Sequence, residues 1–208
     1  MAIYPFTGRP GRNRPAAPGW PGGPPDVTLR AEFRMICGLD LLVESLRDNP
    51  SPARFDLGDG PVLHRAAFEV ARDGETWLVD LAHPEDLPAH PLRMAQVLGE
   101  LEAHDGRRFR FETAESLRAE PRLSALRLVL ACRGTPISPG DRVAVLHHLA
   151  EAGTSTLVEA SAMARHAPDG VAAVLALAAE GLIALELSGP ILPETRLRRR
   201  APGSMGGV

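Results

Sequence analysis

Between residues 29 and 47 apolar side chains recur at Phe33, Ile36, Leu39, Leu42, Val43 and Leu46. That is the three-to-four spacing of one helical face, and Thr28 stands where an N-cap belongs. The run Asn49-Pro50-Ser51-Pro52 ends the helix. The period then changes. Residues 53–57 read as a short strand, and Gly58-Asp59-Gly60-Pro61 as a turn. Residues 62–72 and 76–82 are β-rich runs on either side of Asp73-Gly74-Glu75, and an Asp-Gly between such runs predicts a hairpin. Phe68, Val70, Leu78 and Leu81 are its expected core positions.

Prolines 88 and 91 interrupt the next helical pattern, so that helix is expected from about Leu92 to Ala103. Residues 107–112 (RRFRFE) alternate as a strand, and Thr113-Ala114-Glu115-Ser116 opens a short helix. Residues 123–131 read as another helix. After Gly134–Gly140, rich in Gly and Pro, come three helical stretches at 141–152, 155–165 and 169–181. Two β-rich segments follow, at 182–187 and 195–199. Three helices and then a hairpin is the order of a winged helix. The Pro/Gly-rich stretch at 5–26 continues neither helix nor strand. The expected organisation is a Pro/Gly/Arg-rich disordered arm at 1–27, an α/β domain at 28–133, a winged-helix-like domain at 139–200 and a flexible tail at 201–208.

Composition narrows the function classes. The chain has 208 residues, 44% hydrophobic and 24% charged, enough to bury a core. Aromatics make up 4%, with one Tyr and two Trp, so stacking platforms for single-stranded nucleic acid are not expected. No apolar run is long enough to span a bilayer, and the first residues lack the apolar stretch of a secretory signal. Cys37 and Cys132 lie among apolar residues and are expected as reduced thiols of a cytoplasmic protein. All 23 basic residues are arginine, so no step can use a lysine ammonium.

Charge is uneven. Arg9, Arg12, Arg14, Arg30 and Arg34 face only Asp26 and Glu32 in residues 1–34, and Arg196, Arg198, Arg199 and Arg200 cluster near the other end. The net charge of −3 therefore leaves an acidic body between basic ends. Such ends bind phosphates without sequence preference and lose that affinity as salt rises. Arg9, Arg12, Arg14, Arg196, Arg198, Arg199 and Arg200 are the candidate DNA contacts. The third helix of the winged-helix-like part, DGVAAVLALAAEG, has no Arg, Asn or Gln to read base edges, and residues 139–195 hold two Arg against seven acids.

The residues carry a resemblance. Leu63-His64-Arg65-Ala66-Ala67-Phe68-Glu69-Val70, then Asp73-Gly74, then Leu78-Val79-Asp80-Leu81-Ala82 follow a helix. Arg108-Phe109-Arg110-Phe111-Glu112-Thr113-Ala114-Glu115 comes next, then Arg118, Pro121 and Leu123-Ser124-Ala125-Leu126-Arg127-Leu128. In order and spacing these resemble the TnsA-like transposon endonucleases, whose core is of the PD-(D/E)XK type. That family has a helix with a catalytic Glu, a strand H-x-P-D-F-h-V and an Asp/Gly turn. A strand ending L-V-E-V-K, a W-x-F-R-h-x-T-E strand and R-x-x-P-x-L-x-N-A-R-h-L follow. The resemblance covers most of residues 28–200. It implies an α/β fold: a restriction-endonuclease-like mixed sheet with flanking helices, followed by a winged-helix-like domain. It also implies a transposase subunit and an ATPase regulator as protein partners.

The motif positions depart from the family. Ala67 falls where the resemblance puts the metal-binding Asp, Ala82 where it puts the Lys, and Asp80 where it puts the Glu. Glu32 is the counterpart of the helix Glu. Nucleases of this kind hold a hard cation between carboxylates and draw a hydroxide from its water, while the Lys stabilises charge developing on phosphorus. With Ala at 67 and 82 the expectation is a catalytically impaired, DNA-associated or structural subunit, with Glu32 and Asp80 as remnants and no cofactor. Two alternatives stay open. One is an active Mg- or Mn-dependent endonuclease with a rearranged site, in which Glu32 and Asp80 act with a displaced ligand such as His64. The other is a winged-helix regulator that acts through protein contacts without cleaving DNA.

Other candidates read as structural. His83 and His90 lie beside prolines in loops. His147 and His148 are adjacent on one helix, facing about 100° apart, so they do not chelate one ion. Glu85-Asp86 and Asp56/Asp59 are acidic turns. No G-x-S-x-G elbow and no phosphate-cradling Gly-rich loop is present.

Overall fold

Asp73 and Gly74 both take positive φ, 52° and 76°, the backbone twist that closes a two-residue hairpin. The strands they join, Phe68–Arg72 and Glu75–Leu81, run antiparallel with Arg72 opposite Glu75 and Phe68 opposite Val79. In the computed structural model, which describes residues 3–4, 25–56, 60–82, 92 and 101–200, this hairpin is the middle of a mixed α/β unit.

The described chain falls into two compact units. One holds the described residues up to Arg34 and 44–117, the other 35–43 and 118–200. Along the first run β1 (Ile3–Tyr4), α1 (Pro25–Leu39, whose end belongs to the second unit), β2 (Val43–Asp48), β3 (Ala53–Asp56) and β4 (Pro61–His64). Then come β5 (Phe68–Arg72), β6 (Glu75–Leu81), β7 (Leu101–Glu102), β8 (Arg108–Glu112) and α2 (Ala114–Leu117).

Five strands form a mixed sheet in the order β2-β5-β6-β8-β7, with β6 and β8 parallel and β7 antiparallel to β8. A second sheet, β1-β4-β3, has β1 parallel and β3 antiparallel to β4. Alternation along the strands puts Leu78, Asp80 and Phe109 on one face of the five-stranded sheet and Phe68, Val70, Trp77 and Val79 on the other. The first face packs with the second sheet into a core of Ala53, Phe55, Ala66, Leu78, Leu92, Leu101, Ala103 and Phe109. On the second face Phe33 of α1 lies 4.8 Å from Phe68.

The second unit contains α3 (Arg122–Ala131), α4 (Pro139–Ala152), β9 (Ser155–Thr156), α5 (Leu157–Ser161), α6 (Gly170–Ala179), β10 (Ile183–Leu185) and β11 (Arg196–Arg199). Its antiparallel sheet has the order β10-β11-β9, and Asp40 adds a parallel bridge to Leu185. The helix starts are chemically marked. Ser138 Oγ accepts the Asp141 amide at 3.0 Å, Asp169 accepts the Ala172 amide at 3.0 Å, and Thr156 with Glu159 forms a reciprocal capping box. Every residue from Ala173 to Ala178 is buried, and α3 and α5 pack against α6.

Four expectations need correction. The helix expected over 29–47 ends at Leu39, and Val43–Asp48 is a strand. Asp40 makes the break: its Oδ1 accepts the Leu42 amide at 2.9 Å, while the Leu41 amide bonds Leu185 O at 2.8 Å. Only Val43 and Leu46 of β2 are buried, a spacing of three that imitates a helix. The run expected as one strand over 62–72 is two, β4 and β5, in different sheets, and buried Ala66 sits between them in the core. Leu81, expected in the core, is half-buried, whereas Phe68, Val70 and Leu78 are fully inside. Of the helix expected from Leu92, only Leu92 and residues 101–103 are described, and Leu101–Glu102 is a strand.

Candidate functional site

Two strand ends bring His64 and Asp80 together. His64 closes β4, and Asp80 lies one residue before the end of β6, on the sheet face turned to β3 and β4. His64 Nε2 and Asp80 Oδ2 are 2.6 Å apart, and the two residues are 1% and 4% exposed. The other carboxylate oxygen, Oδ1, accepts the Ala67 amide at 2.7 Å. The His64 ring meets Phe109 edge-on at 5.6 Å. Burying a carboxylate is costly unless its oxygens are matched by donors. Here one oxygen faces an imidazole and the other a backbone N–H, so Asp80 ties β4 and the 65–67 connection to β6.

The family register can be placed on this site. Ala67 precedes Phe68 and so lies opposite Asp80 across the hairpin, its amide on the carboxylate. Its carbonyl accepts the Asn49 amide at 3.0 Å and Arg30 Nη2 at 3.4 Å. Ala82 follows β6, donates its amide to Glu112 O at 3.0 Å and is 2% exposed. By alternation, positions 67, 80 and 82 share one sheet face. An Asp, an acid and a Lys at those positions would converge. This chain presents Asp80 between two methyl groups. Glu32 is buried on α1, at 3% exposure. Among the described residues, no three His, Cys, Asp or Glu side chains come together as a metal-holding group.

The candidate DNA contacts divide. Arg9, Arg12 and Arg14 lie outside the described residues, as do His83, His90, Glu85, Asp86 and Asp59. Arg196 and Arg199 are exposed on β11. Arg198 and Arg200 turn inward within the second unit. Arg198 Nη2 donates to Val43 O at 3.2 Å, and Arg200 Nη2 donates to Cys37 O at 2.7 Å and Asp40 O at 3.2 Å. Cys37 and Asp40 lie at the C-terminal end of α1, where unmatched carbonyls attract a cation. Burial pushes the Arg200 guanidinium below its ordinary pKa, the neighbouring Arg198 adding to it.

Two polar groups escaped the sequence reading. Asp141, 2% exposed, accepts the His166 amide at 3.3 and 3.2 Å and faces His166 Nδ1 at 3.0 Å. The His166 hydrogen bond holds its carboxyl below the usual range, against the pull of burial. Ser155 joins His148 Nε2 at 2.8 Å to Glu159 Oε2 at 2.9 Å. Hydrogen bonds from the Thr156 amide and hydroxyl, then from Ser155, lower the Glu159 pKa. The Thr156-x-x-Glu159 spacing is a capping-box signature and was the available signal. Ser155 gives its hydroxyl to Glu159, so this trio fixes a helix start and leaves the serine proton away from the imidazole.

No helix among the described residues is long and apolar enough to cross a membrane. Both cysteines are free thiols, Cys37 buried and Cys132 half-buried. No family model and no curated protein matches this chain.

Proposed function

We propose that this chain is a divergent TnsA-like homologue whose nuclease core has lost catalysis and serves as a DNA-associated, structural subunit. One observation carries the reading. Asp80, at the acidic position of the motif, is engaged on both oxygens by His64 and the Ala67 amide and is withdrawn from solvent. A catalytic metal ligand must instead offer an oxygen to a hydrated cation. The neighbouring Ala67 and Ala82 supply neither a second carboxylate nor a cation. Mixed-sheet topology with a parallel β6/β8 pair and a preceding helix is compatible with a restriction-endonuclease-like core. A reducing cytoplasm suits the two free thiols.

The second unit favours a supporting role for the winged-helix-like part. Helix, short strand, two helices and a hairpin, with sheet order β10-β11-β9, is the order of that fold. Its third helix, α6, would be the one to enter a major groove, yet Ala173–Ala178 are buried. A packing or protein-contact role, with transposase-type partners, fits this better than base reading. Phosphate contact remains with exposed Arg196 and Arg199 and with the arginines of the arm.

Supercoiled plasmid incubated with Mg²⁺ or Mn²⁺ tests the catalytic half. The unmodified protein should nick no faster than Asp80→Ala. Robust cleavage that Asp80→Ala eliminates would overturn the proposal and favour a rearranged, active endonuclease.

A further inference from the structure

The edge of the smaller sheet of the first unit carries a strand from a distant part of the chain. β4 has β3 on one side and β1 on the other. β1 runs parallel to β4, with Ile3 opposite Leu63 and Tyr4 opposite His64. It is two residues long, and among the described residues its sheet neighbour is β4 alone. No hairpin turn joins the two strands. β1 is tied to α1, the next element, through residues 5–24, which hold six Pro and five Gly. A connection of that length reaches at most about 70 Å.

We infer that the outer edge of β4 is a strand-docking site that takes β1 from a second copy, so that two copies exchange these strands. Main-chain pairing supplies the affinity of an added strand, and it is the same whichever copy donates it. Docking in cis and in trans therefore differs only in the tether. A tether of this length presents its strand at an effective concentration on the order of 1 mM. A two-residue strand at a sheet edge belongs to the low-stability end of a fold, and its opening offers the β4 edge to another extended segment. The segment already matched in register is another β1. Exchange in both directions about a two-fold axis closes the pair without any new surface. Copies side by side on one DNA duplex meet at concentrations comparable with that of the tethered strand, so the duplex should drive exchange. The result is a dimer in which the neighbour completes the sheet edge at Leu63 and His64, beside the His64–Asp80 pair.

The role given to the duplex rests on the DNA-association reading; the strand site does not. Two full chains test both, each with Cys132→Ser, while Cys37 is buried and stays. One carries Ile3→Cys and the other, on a longer tag, Leu63→Cys, so neither can link its own β1 to its own β4. Facing residues of adjacent strands lie about 5 Å apart, within disulfide reach. Mixed and oxidised, the two should form a disulfide between positions 3 and 63 whose yield rises as protein approaches ~1 mM. At about 10 µM, added duplex should raise that yield about tenfold. A partner carrying Val143→Cys, exposed on α4, reports random collision and should give about tenfold less. One chain with both Ile3→Cys and Leu63→Cys reads the cis pairing. The unmodified chain near ~1 mM should sediment partly as dimer, and Tyr4→Pro, which removes a strand N–H, should abolish that dimer. A full cis disulfide with trans yields no higher than the Val143→Cys partner gives, with and without duplex, would overturn exchange. A doubly substituted chain that forms no disulfide, together with a monomeric unmodified chain, would overturn the docking site itself. Exchange that rises with concentration and ignores a duplex shown to bind by mobility shift would support the site and overturn its dependence on DNA. Exchange without any duplex binding at low salt would support the site and overturn the DNA-associated reading.

Discussion

His64 Nε2 stands 2.6 Å from Asp80 Oδ2 inside the core between the two sheets, and the same carboxylate holds the Ala67 amide. The pair joins β4 of one sheet to β6 of the other. On the proposed register it lies where a TnsA-like nuclease would keep its metal.

Breaking it should cost stability. Asp80→Ala leaves a buried imidazole and a buried amide facing a void, for which about 2–5 kcal/mol is expected. Asp80→Asn keeps an acceptor for the Ala67 amide and should lose less than half as much. Urea midpoints at constant slope measure both. Equal stability of wild type and Asp80→Ala would remove the structural role argued for this residue.

Reinstating the motif lysine meets the same packing. Position 82 is 2% exposed, so Ala82→Lys drives an ammonium stem into a closed site. A loss of about 2–4 kcal/mol is expected for the single change. Ala67→Asp in addition should return part of that loss by giving the ammonium a second carboxylate beside Asp80. The double variant should regain metal-dependent nicking only weakly, because His64 still holds Asp80; either change alone should regain none. Thermal melts and the plasmid assay, run together, read both effects.

Gly170 opens α6 against the end of α5. A Cβ added there would lie 2.6 Å from Ser161 O, a backbone atom that does not swing aside. Gly170→Ala should therefore destabilise the second unit by about 1–3 kcal/mol, although alanine is the better helix former. A melt in which Gly170→Ala gains stability would show that the close approach is absent.

The arginines of β11 and the residue after it should separate by effect. Arg200→Gln removes the donor to Cys37 O and Asp40 O, and a loss of about 1–3 kcal/mol is expected with little change in DNA affinity. Arg196→Gln with Arg199→Gln should leave the melt unchanged and reduce the slope of log affinity against log salt by about 1–2. The reverse pattern would place the phosphate contact on the inward arginine.

Acid should act on the second unit through Asp141 and Glu159. Both carboxyls are held below their ordinary values of 3.8 and 4.5, the first chiefly by His166 and the second by Thr156. A depressed folded pKa gives stability that is complete above the ordinary value and disappears as pH falls through the folded one. The stability curve should therefore bend downward below about pH 4.5. Asp141→Asn and Glu159→Gln should be less stable near neutrality and should show a shallower decline with acid. An unchanged acid limb in both variants would contradict the assignment.

Local chemistry was legible in the residues themselves. The Asp73-Gly74 turn, the strand at 108–112 and the helices at 122–131, 139–152 and 170–179 follow from turn preference and apolar spacing, which act over a few residues. Also plain in the sequence is that Ala67 and Ala82 carry no ligand or cation in any fold, which is the gap the proposed register contains. What needed the tertiary structure was long-range pairing. Val43 and Leu46 have a helical spacing, and only Leu185 claiming the Leu41 amide, with β5 beside β2, makes that segment a strand. A histidine and an aspartate sixteen residues apart do not announce a contact. They become a buried pair because Ala66 lets the chain cross from one sheet to the other, where desolvation obliges each polar atom to find a partner. The charge of Arg198 and Arg200 was plain in the sequence, but its use was decided by the unmatched carbonyls around 37–43 that folding delivers to them. Charge is a property of the residue; whether it meets water, phosphate or a backbone carbonyl is a property of what packs around it.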